Sequence, residues 1–148
     1  MKKQQERVLI LCTGNSCRSQ MAAGYMQYYA GSLAEVHSAG THPAERVHEM
    51  AVRVMEEDGI SIHDARPRST DEFAGDHFDY IVTVCEDAAE NIPTEIRARE
   101  VVRFHLPDPD KFEGSAEEQL VFFEDVREQL KKFTLKFVGK ELLNRVKG

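Results

Sequence analysis

Apolar and polar positions alternate along the chain in the order expected of alternating strands and helices. A continuous apolar run, Val8–Leu11, follows a charged start and predicts a strand buried on both faces of a parallel sheet. Residues Ser19–Ala30 carry apolar side chains at helical spacing and predict the first helix. A short second strand is predicted over Ala34–Ala39, closed by Gly40.

The middle of the chain predicts one more helix and two more strands. Apolar positions recur at helical spacing over Val47–Met55 and stop before Gly59, a common helix end. The segments Asp79–Cys85 and Glu100–Leu106 are rich in β-branched and other apolar residues and predict strands, the first of which Cys85 closes. A short helical or irregular piece, Glu86–Ile96, lies between them.

The last element is a long amphipathic helix. Ser115 and Glu118 have the spacing of a capping box, and an apolar face then continues as far as Gly139. The tail, residues 140–148, is expected to fray. This order of elements, with right-handed crossovers, predicts an α/β fold: a four-stranded, doubly wound parallel sheet of the flavodoxin type.

Three distant segments of the chain are predicted to meet at one edge of this sheet. In open parallel sheets, ligands bind outside the carboxyl ends of the strands. Cys12, Cys85 and the segment Leu106–Asp110 all fall there. We therefore expect the functional site at this edge.

Composition narrows the classes of function. The 148 residues, 41% hydrophobic, fit one domain over 1–148, with a core of about residues 7–138. A formal net charge of −7 disfavours a nucleic-acid or anionic-membrane partner. The first apolar run is too short for a signal peptide or membrane span, so a cytoplasmic protein is expected. Three cysteines without a histidine pair favour catalytic sulfur chemistry over a disulfide scaffold or a zinc site, and we predict no metal.

The loop Cys12–Arg18, between the first strand and the first helix, has the features of an oxyanion cradle, and we call it the oxyanion loop. Its backbone N–H groups can surround an anion at the positive end of the helix, and Gly14 and Asn15 tolerate positive φ. The planar fork of Arg18 can bind two oxygens of a tetrahedral anion. The predicted oxyanion-binding residues are Thr13, Gly14, Asn15, Ser16, Cys17, Arg18 and Ser19.

Two cysteines of this loop have different expected roles. The helix end and Arg18 are expected to lower the pKa of Cys12 and make its thiolate a nucleophile, helped by a hydrogen bond from Ser19. Cys17 is expected either to pack as a small apolar side chain or to form a reversible guard disulfide with Cys12.

Three segments of the sequence are distinctive together: CTGNSCRSQMA from Cys12, VTVCEDAAENIP from Val82, and Leu106–Asp110 followed by FFEDVREQL from Phe122. They resemble the low-molecular-weight tyrosine phosphatase superfamily, and within it the arsenate reductase branch. The resemblance extends over about residues 7–137, nearly the whole chain.

The resemblance implies a role for each residue at the sheet edge. Cys12 is the nucleophile and Arg18 binds the oxyanion. Asp108, followed by Pro109, matches the general acid. Cys85 matches the thiol that resolves the arsenic adduct of the reductases as a disulfide with Cys12. The implied partners are a small oxyanion and a transient redox protein that supplies reducing thiols.

The sequence also departs from the family pattern. The thioredoxin-linked reductases have a further cysteine where this chain has Ile92, so glutathione with glutaredoxin, or thioredoxin directly, is the expected reductant. Acidic positions of a potassium site in some members match Ala23 and Arg68, so no potassium requirement is expected. Only Phe112 is available to flank a phenyl ring, which disfavours a phosphotyrosine pocket.

Arsenate reduction is the favoured function, with other readings open. A tyrosine phosphatase working through a phosphocysteine is the alternative enzyme. An anion-binding or redox-sensing module and a cysteine phosphocarrier are less favoured, because neither needs Arg18 paired with Asp108. We expect a monomer without a bound cofactor.

Overall fold

The computed structural model describes residues 5–143 and contains one sheet of four parallel strands. Their order is β2-β1-β3-β4, and their bounds are β1 Glu6–Cys12, β2 Ala34–Gly40, β3 His77–Thr83 and β4 Arg97–Arg103. This is the order in which a flavodoxin-type sheet begins: β2 lies on one side of β1, and β3 and β4 follow on the other side. The predicted four-stranded α/β fold is confirmed.

Strand β1 lies at the centre of the core. All four residues of Val8–Leu11 are 0% exposed, although successive side chains of a strand point to opposite faces. Both faces of the sheet are therefore covered, as the unbroken apolar run predicts. The in-register pairs Cys12–Gly40 and Leu11–Thr83 bring the ends of three strands to one edge.

The helices are α1 Arg18–Ala30, α2 Glu49–Glu57, α3 Glu86–Glu90 and α4 Ala116–Phe137, with short 3₁₀ turns at Gly31–Leu33, Thr70–Phe73 and Pro109–Lys111. Gly24 lets α2 approach α1 closely, because a Cβ there would lie 3.0 Å from the Met55 methyl carbon. Helix α4 packs against both α1 and α2. Among the helices of residues 5–143, none combines the length and apolarity needed to cross a membrane.

Two predicted strands have wrong bounds at both ends: β3 is His77–Thr83 instead of Asp79–Cys85, and β4 is Arg97–Arg103 instead of Glu100–Leu106. Strand β3 ends at Thr83, where its ladder with β4 ends, and Cys85 is instead the N-cap of α3, its Sγ accepting the Ala88 N–H at 3.4 Å. Strand β4 starts three residues before the predicted Glu100. It is an edge strand with mostly exposed side chains, so its start carries no apolar signal.

The end of the described chain is helical and packs against the core. The Ser115–Glu118 capping box is present, and α4 passes into a π-helical turn, Val138–Leu143. Leu142 is 1% exposed, and the Tyr80 hydroxyl donates to Glu141 at 3.1 Å. Fraying of the tail stays a prediction: residues 140–143 continue the helix in this structure, and 144–148 lie outside the described residues.

Candidate active site

The oxyanion loop is oriented by the segment that follows β2. Carbonyl oxygens of the loop accept backbone N–H groups at 2.8–3.2 Å, in the pairs Cys12–Thr41, Thr13–His42, Gly14–Ala44 and Ser16–His48. These bonds turn the loop carbonyl groups toward residues 41–48, so the N–H groups of the loop can point to the opposite side. This arrangement is the one an anion cradle requires.

Gly40 makes this contact possible. A Cβ at this position would lie 2.4 Å from the Thr13 carbonyl oxygen and 3.0 Å from the Asn15 nitrogen. Real Cβ atoms do not approach backbone so closely, so a side chain here would displace the loop. The end of β2 thus helps to shape the cradle.

Asn15 is the buried centre of the loop. It is 0% exposed and has the positive φ, 52°, that the sequence allowed, whereas Gly14 does not adopt a positive φ. Its Oδ1 accepts the Arg68 N–H at 2.9 Å and the Gln20 side-chain amide at 3.2 Å, which orients the amide group. Its Nδ2 therefore donates to Ser19 Oγ at 2.7 Å.

Cys12 receives two hydrogen bonds from this network. Ser19 Oγ, which accepts from Asn15, lies 2.8 Å from Cys12 Sγ and is the donor whenever Cys12 is the thiolate; the Asn15 N–H also points at the sulfur, at 3.0 Å. Burial raises the pKa of Cys12 above its ordinary value, while Ser19, the charge of Arg18 and the Asn15 N–H lower it. The groups expected to lower the pKa of Cys12 are present, but the opposing effect of burial is larger, contrary to the sequence prediction.

Cys17 is a buried thiol at the N-cap of α1. It is 3% exposed, and its Sγ contacts Ser16 Oγ at 3.6 Å. Burial raises the pKa of Cys17 to about 12. This environment favours the prediction of an apolar packing role over that of a reactive guard thiol.

Arg18 links the oxyanion loop to the segment after β4. The residue is 8% exposed, and its Nη1 donates to the Leu106 carbonyl at 2.9 Å. Its Nη2 lies 3.5 Å from Asp108 Oδ2. Its Nε is buried and has no hydrogen-bond partner among residues 5–143.

Asp108 lies at the N-cap of the turn Pro109–Lys111. Its Oδ1 accepts the Asp110 N–H at 3.0 Å, and its side chain is 26% exposed. The Asp108 carboxyl group therefore lies beside Arg18 and lines the same pocket as Cys12.

Cys85 faces the same pocket. The thiol is 6% exposed and lies 3.4 Å from Thr13 Oγ1, which donates to Asp87 at 3.0 Å. The pocket has a volume of about 330 Å³ and is lined by Cys12, Thr13, Gly14, Ser16, Cys17, Arg18, Ala44, Cys85, Asp87, Asp108, Asp110 and Lys111. Phe112 is not in this lining and stacks on Phe122, with ring centroids 5.0 Å apart.

The predicted site residues thus fall into two groups. Those on the pocket wall include Cys12, Arg18, Cys85 and Asp108. Asn15 and Ser19 support the loop from behind instead of lining the pocket. Sequence reasoning missed Asp87 and Asp110, although each follows a predicted site residue by two positions in a tight turn.

A second pocket, of about 350 Å³, lies behind the oxyanion loop. Its lining includes Gln20, Ala23, Arg66 and Arg68 and contains no cysteine. Within residues 5–143, no group of three His, Cys, Asp or Glu side chains has the arrangement of a metal site. The candidate catalytic residues therefore line the first pocket, the one that contains Cys12 and Cys85.

Comparison with known proteins agrees with the fold and shows the family. Residues 7–147 match the model of the low molecular weight phosphotyrosine protein phosphatase family, so the chain belongs to that family. It is similar to the arsenate reductase of Halalkalibacterium halodurans, with 39% identity over 84% of this chain and 89% of that protein. The glutaredoxin arsenate reductase of Synechocystis is 32% identical over 91% and 98%. A solved arsenate reductase in its phosphate-binding state superposes with a TM-score of 0.74 at 31% identity, covering 92% and 98%.

Proposed function

We propose that this protein is an arsenate reductase that works through Cys12, Cys85 and an external thiol. The observation that carries the proposal is the position of Cys85 on the same pocket as Cys12, in contact with Thr13, the residue that follows Cys12. The pocket lining has no aromatic side chain for a phenyl ring and suits a small tetrahedral oxyanion. The relatives named arsenate reductases support the same choice.

The first step joins sulfur to arsenic. Arsenate binds to the loop N–H groups and to Arg18, which neutralise its charge. Cys12 attacks arsenic as the thiolate and displaces one hydroxyl group. Asp108 donates a proton to that group, which leaves as water, and a thiol-arsenate adduct remains on Cys12. Because burial raises the pKa of Cys12, each donor to its sulfur assists this step.

The second step transfers two electrons to arsenic. The thiolate of Cys85 attacks Cys12 Sγ and forms a disulfide. The sulfur–arsenic bond breaks with its electron pair going to arsenic, which leaves as arsenite. The two cysteine sulfurs together lose the two electrons that arsenic gains, so this step needs no other oxidant or reductant.

The Cys12–Cys85 disulfide then needs reduction from outside. An external thiolate opens it by exchange, and a second thiol completes the reduction. Ile92, packed against the core, cannot relay the disulfide to the surface. We therefore propose direct reduction by glutathione with glutaredoxin, or by thioredoxin, in a transient complex with a cytoplasmic monomer.

The Cys85→Ser variant tests the proposal. Arsenite release should stop, because the serine hydroxyl cannot form the disulfide, while phosphate should still protect Cys12 from alkylation. Arsenite is measured with each thiol system supplied, and Cys17→Ser is the control that should retain turnover. In wild-type protein treated with arsenate alone, peptide mass spectrometry should find a Cys12–Cys85 bond. Full arsenate reduction by Cys85→Ser would contradict the mechanism.

A phosphatase reaction is the second candidate, because Cys12, Arg18 and Asp108 suffice for it and the family is named for it. Cys12 would form a phosphocysteine, and Asp108 would then activate water. Hydrolysis of an aryl phosphate should survive in Cys85→Ser. If the wild-type protein hydrolyses aryl phosphate but does not reduce arsenate with any thiol system, this candidate replaces the first.

A further inference from the structure

His48 connects the oxyanion loop to the turn that carries Asp108. Its backbone N–H donates to the Ser16 carbonyl at 2.9 Å, and its ring caps α2 by accepting the Met50 N–H on Nδ1 at 3.1 Å. Because Nδ1 is an acceptor, the proton of the neutral ring lies on Nε2. The ring therefore presents one donor, directed away from α2.

The Nε2 donor of His48 faces the turn Pro109–Lys111. His48 Nε2 lies 3.1 Å from Asp110 Oδ1. The ring also packs on Phe123 of α4, which is 0% exposed, with ring centroids 4.8 Å apart. The backbone bond, the helix cap and this packing hold the imidazole in place, so its donor has a defined direction.

Holding Asp110 also holds Asp108. The Asp110 N–H donates to Asp108 Oδ1 at 3.0 Å, and the other carboxylate oxygen faces Arg18 at 3.5 Å. A second support reaches the turn from α4, where Gln119 donates to the Pro109 carbonyl at 3.1 Å. The direction of the Asp108 carboxyl group thus depends on where Asp110 is kept.

We propose that His48 is a positioning residue that orients Asp108 through Asp110 and so aligns the acid with the oxyanion loop. The proposal rests on the proposed function, in which Asp108 protonates the leaving group. It predicts a slower first step with unchanged oxyanion affinity, because His48 does not line the pocket. The Asp110 side chain is 56% exposed, so the effect is moderate, about three- to tenfold.

His48→Asn separates this role from the helix cap. The asparagine oxygen replaces Nδ1 as an N-cap, since Asn is among the best residues there, but the side chain is too short to reach Asp110. Single-turnover formation of the Cys12–Cys85 disulfide should slow about three- to tenfold. Phosphate protection of Cys12 from alkylation should stay within about twofold. A loss of phosphate affinity with an unchanged rate would overturn the proposal.

Variants of Asp110 test whether the two residues act together. Asp110→Ala should slow disulfide formation as much as His48→Asn does. Asp110→Asn keeps an acceptor oxygen for His48 and should retain most of the wild-type rate. The His48→Asn/Asp110→Ala double variant should be no slower than either single variant. Additive losses would overturn the proposal. Amide hydrogen exchange of Asp110 gives a readout that does not need turnover, and it should accelerate in His48→Asn. Unchanged exchange there refutes the role of His48, whereas a wild-type protein inactive toward arsenate refutes the proposed function.

Discussion

Replacing Ser19 with alanine removes the side-chain hydrogen bond that Cys12 receives at 2.8 Å. A hydrogen bond to a charged group contributes about 1.5–3 kcal/mol. Since burial already raises the pKa of Cys12, losing this bond raises that pKa further. At a fixed pH below the pKa, the loss corresponds to about ten- to hundredfold less thiolate.

The alkylation rate of Cys12 by iodoacetamide measures this effect, with peptide mass spectrometry to distinguish it from Cys17 and Cys85. Only the thiolate reacts, so the rate rises with pH. The Ser19→Ala profile should lie at higher pH than that of the wild type. Ser19→Thr, which keeps a hydroxyl group, should recover much of the rate.

Ser16→Ala is the matched control, because this hydroxyl group of the same loop contacts Cys17 and not Cys12. Its Cys12 profile should coincide with that of the wild type. Urea unfolding of Ser19→Ala should show a loss of about 1–3 kcal/mol, since the buried Asn15 amide loses its acceptor. Superimposable pH profiles for Ser19→Ala and the wild type would refute the reasoning about this network.

Three further predictions concern the same pocket. Arg18→Lys should weaken phosphate protection of Cys12 at least about tenfold, because an ammonium group cannot replace the guanidinium fork; unchanged protection would argue against the cradle. Asp108→Asn should slow single-turnover disulfide formation about 10²-fold through lost acid catalysis; an unaltered rate would assign Asp108 to structure. Gly40→Ala should cost about 1–3 kcal/mol in unfolding free energy and impair phosphate binding, because its Cβ meets the Thr13 carbonyl oxygen at 2.4 Å. Gly139→Ala, with no atom within 4 Å of its Cβ, is the control, and equal effects of the two would exclude this contact.

The order of strands, loops and helices along the chain could be predicted from the sequence. The apolar run Val8–Leu11, the loop after it and the capping box at Ser115 each have a signal within a few residues, because strand burial, helix periodicity and capping depend on neighbouring positions. Since parallel strands share one carboxyl edge, the same reasoning brought Cys12 and Cys85 to one place. The edge strand β4 was predicted, but its bounds were missed because its mostly exposed side chains leave a weak apolar pattern.

By itself, then, the sequence determined the order of strands and helices, the α/β class and the cluster of Cys12, Arg18, Cys85 and Asp108 at one edge of the sheet. Only the tertiary structure decided the direction of the Cys12 pKa shift, because that shift is the balance between burial by distant segments and a few hydrogen bonds. It also decided which groups hold the site together, such as His48 against Asp110. His48 and Asp110 are more than 60 positions apart in the sequence, and no local pattern of side chains specifies that they meet in space.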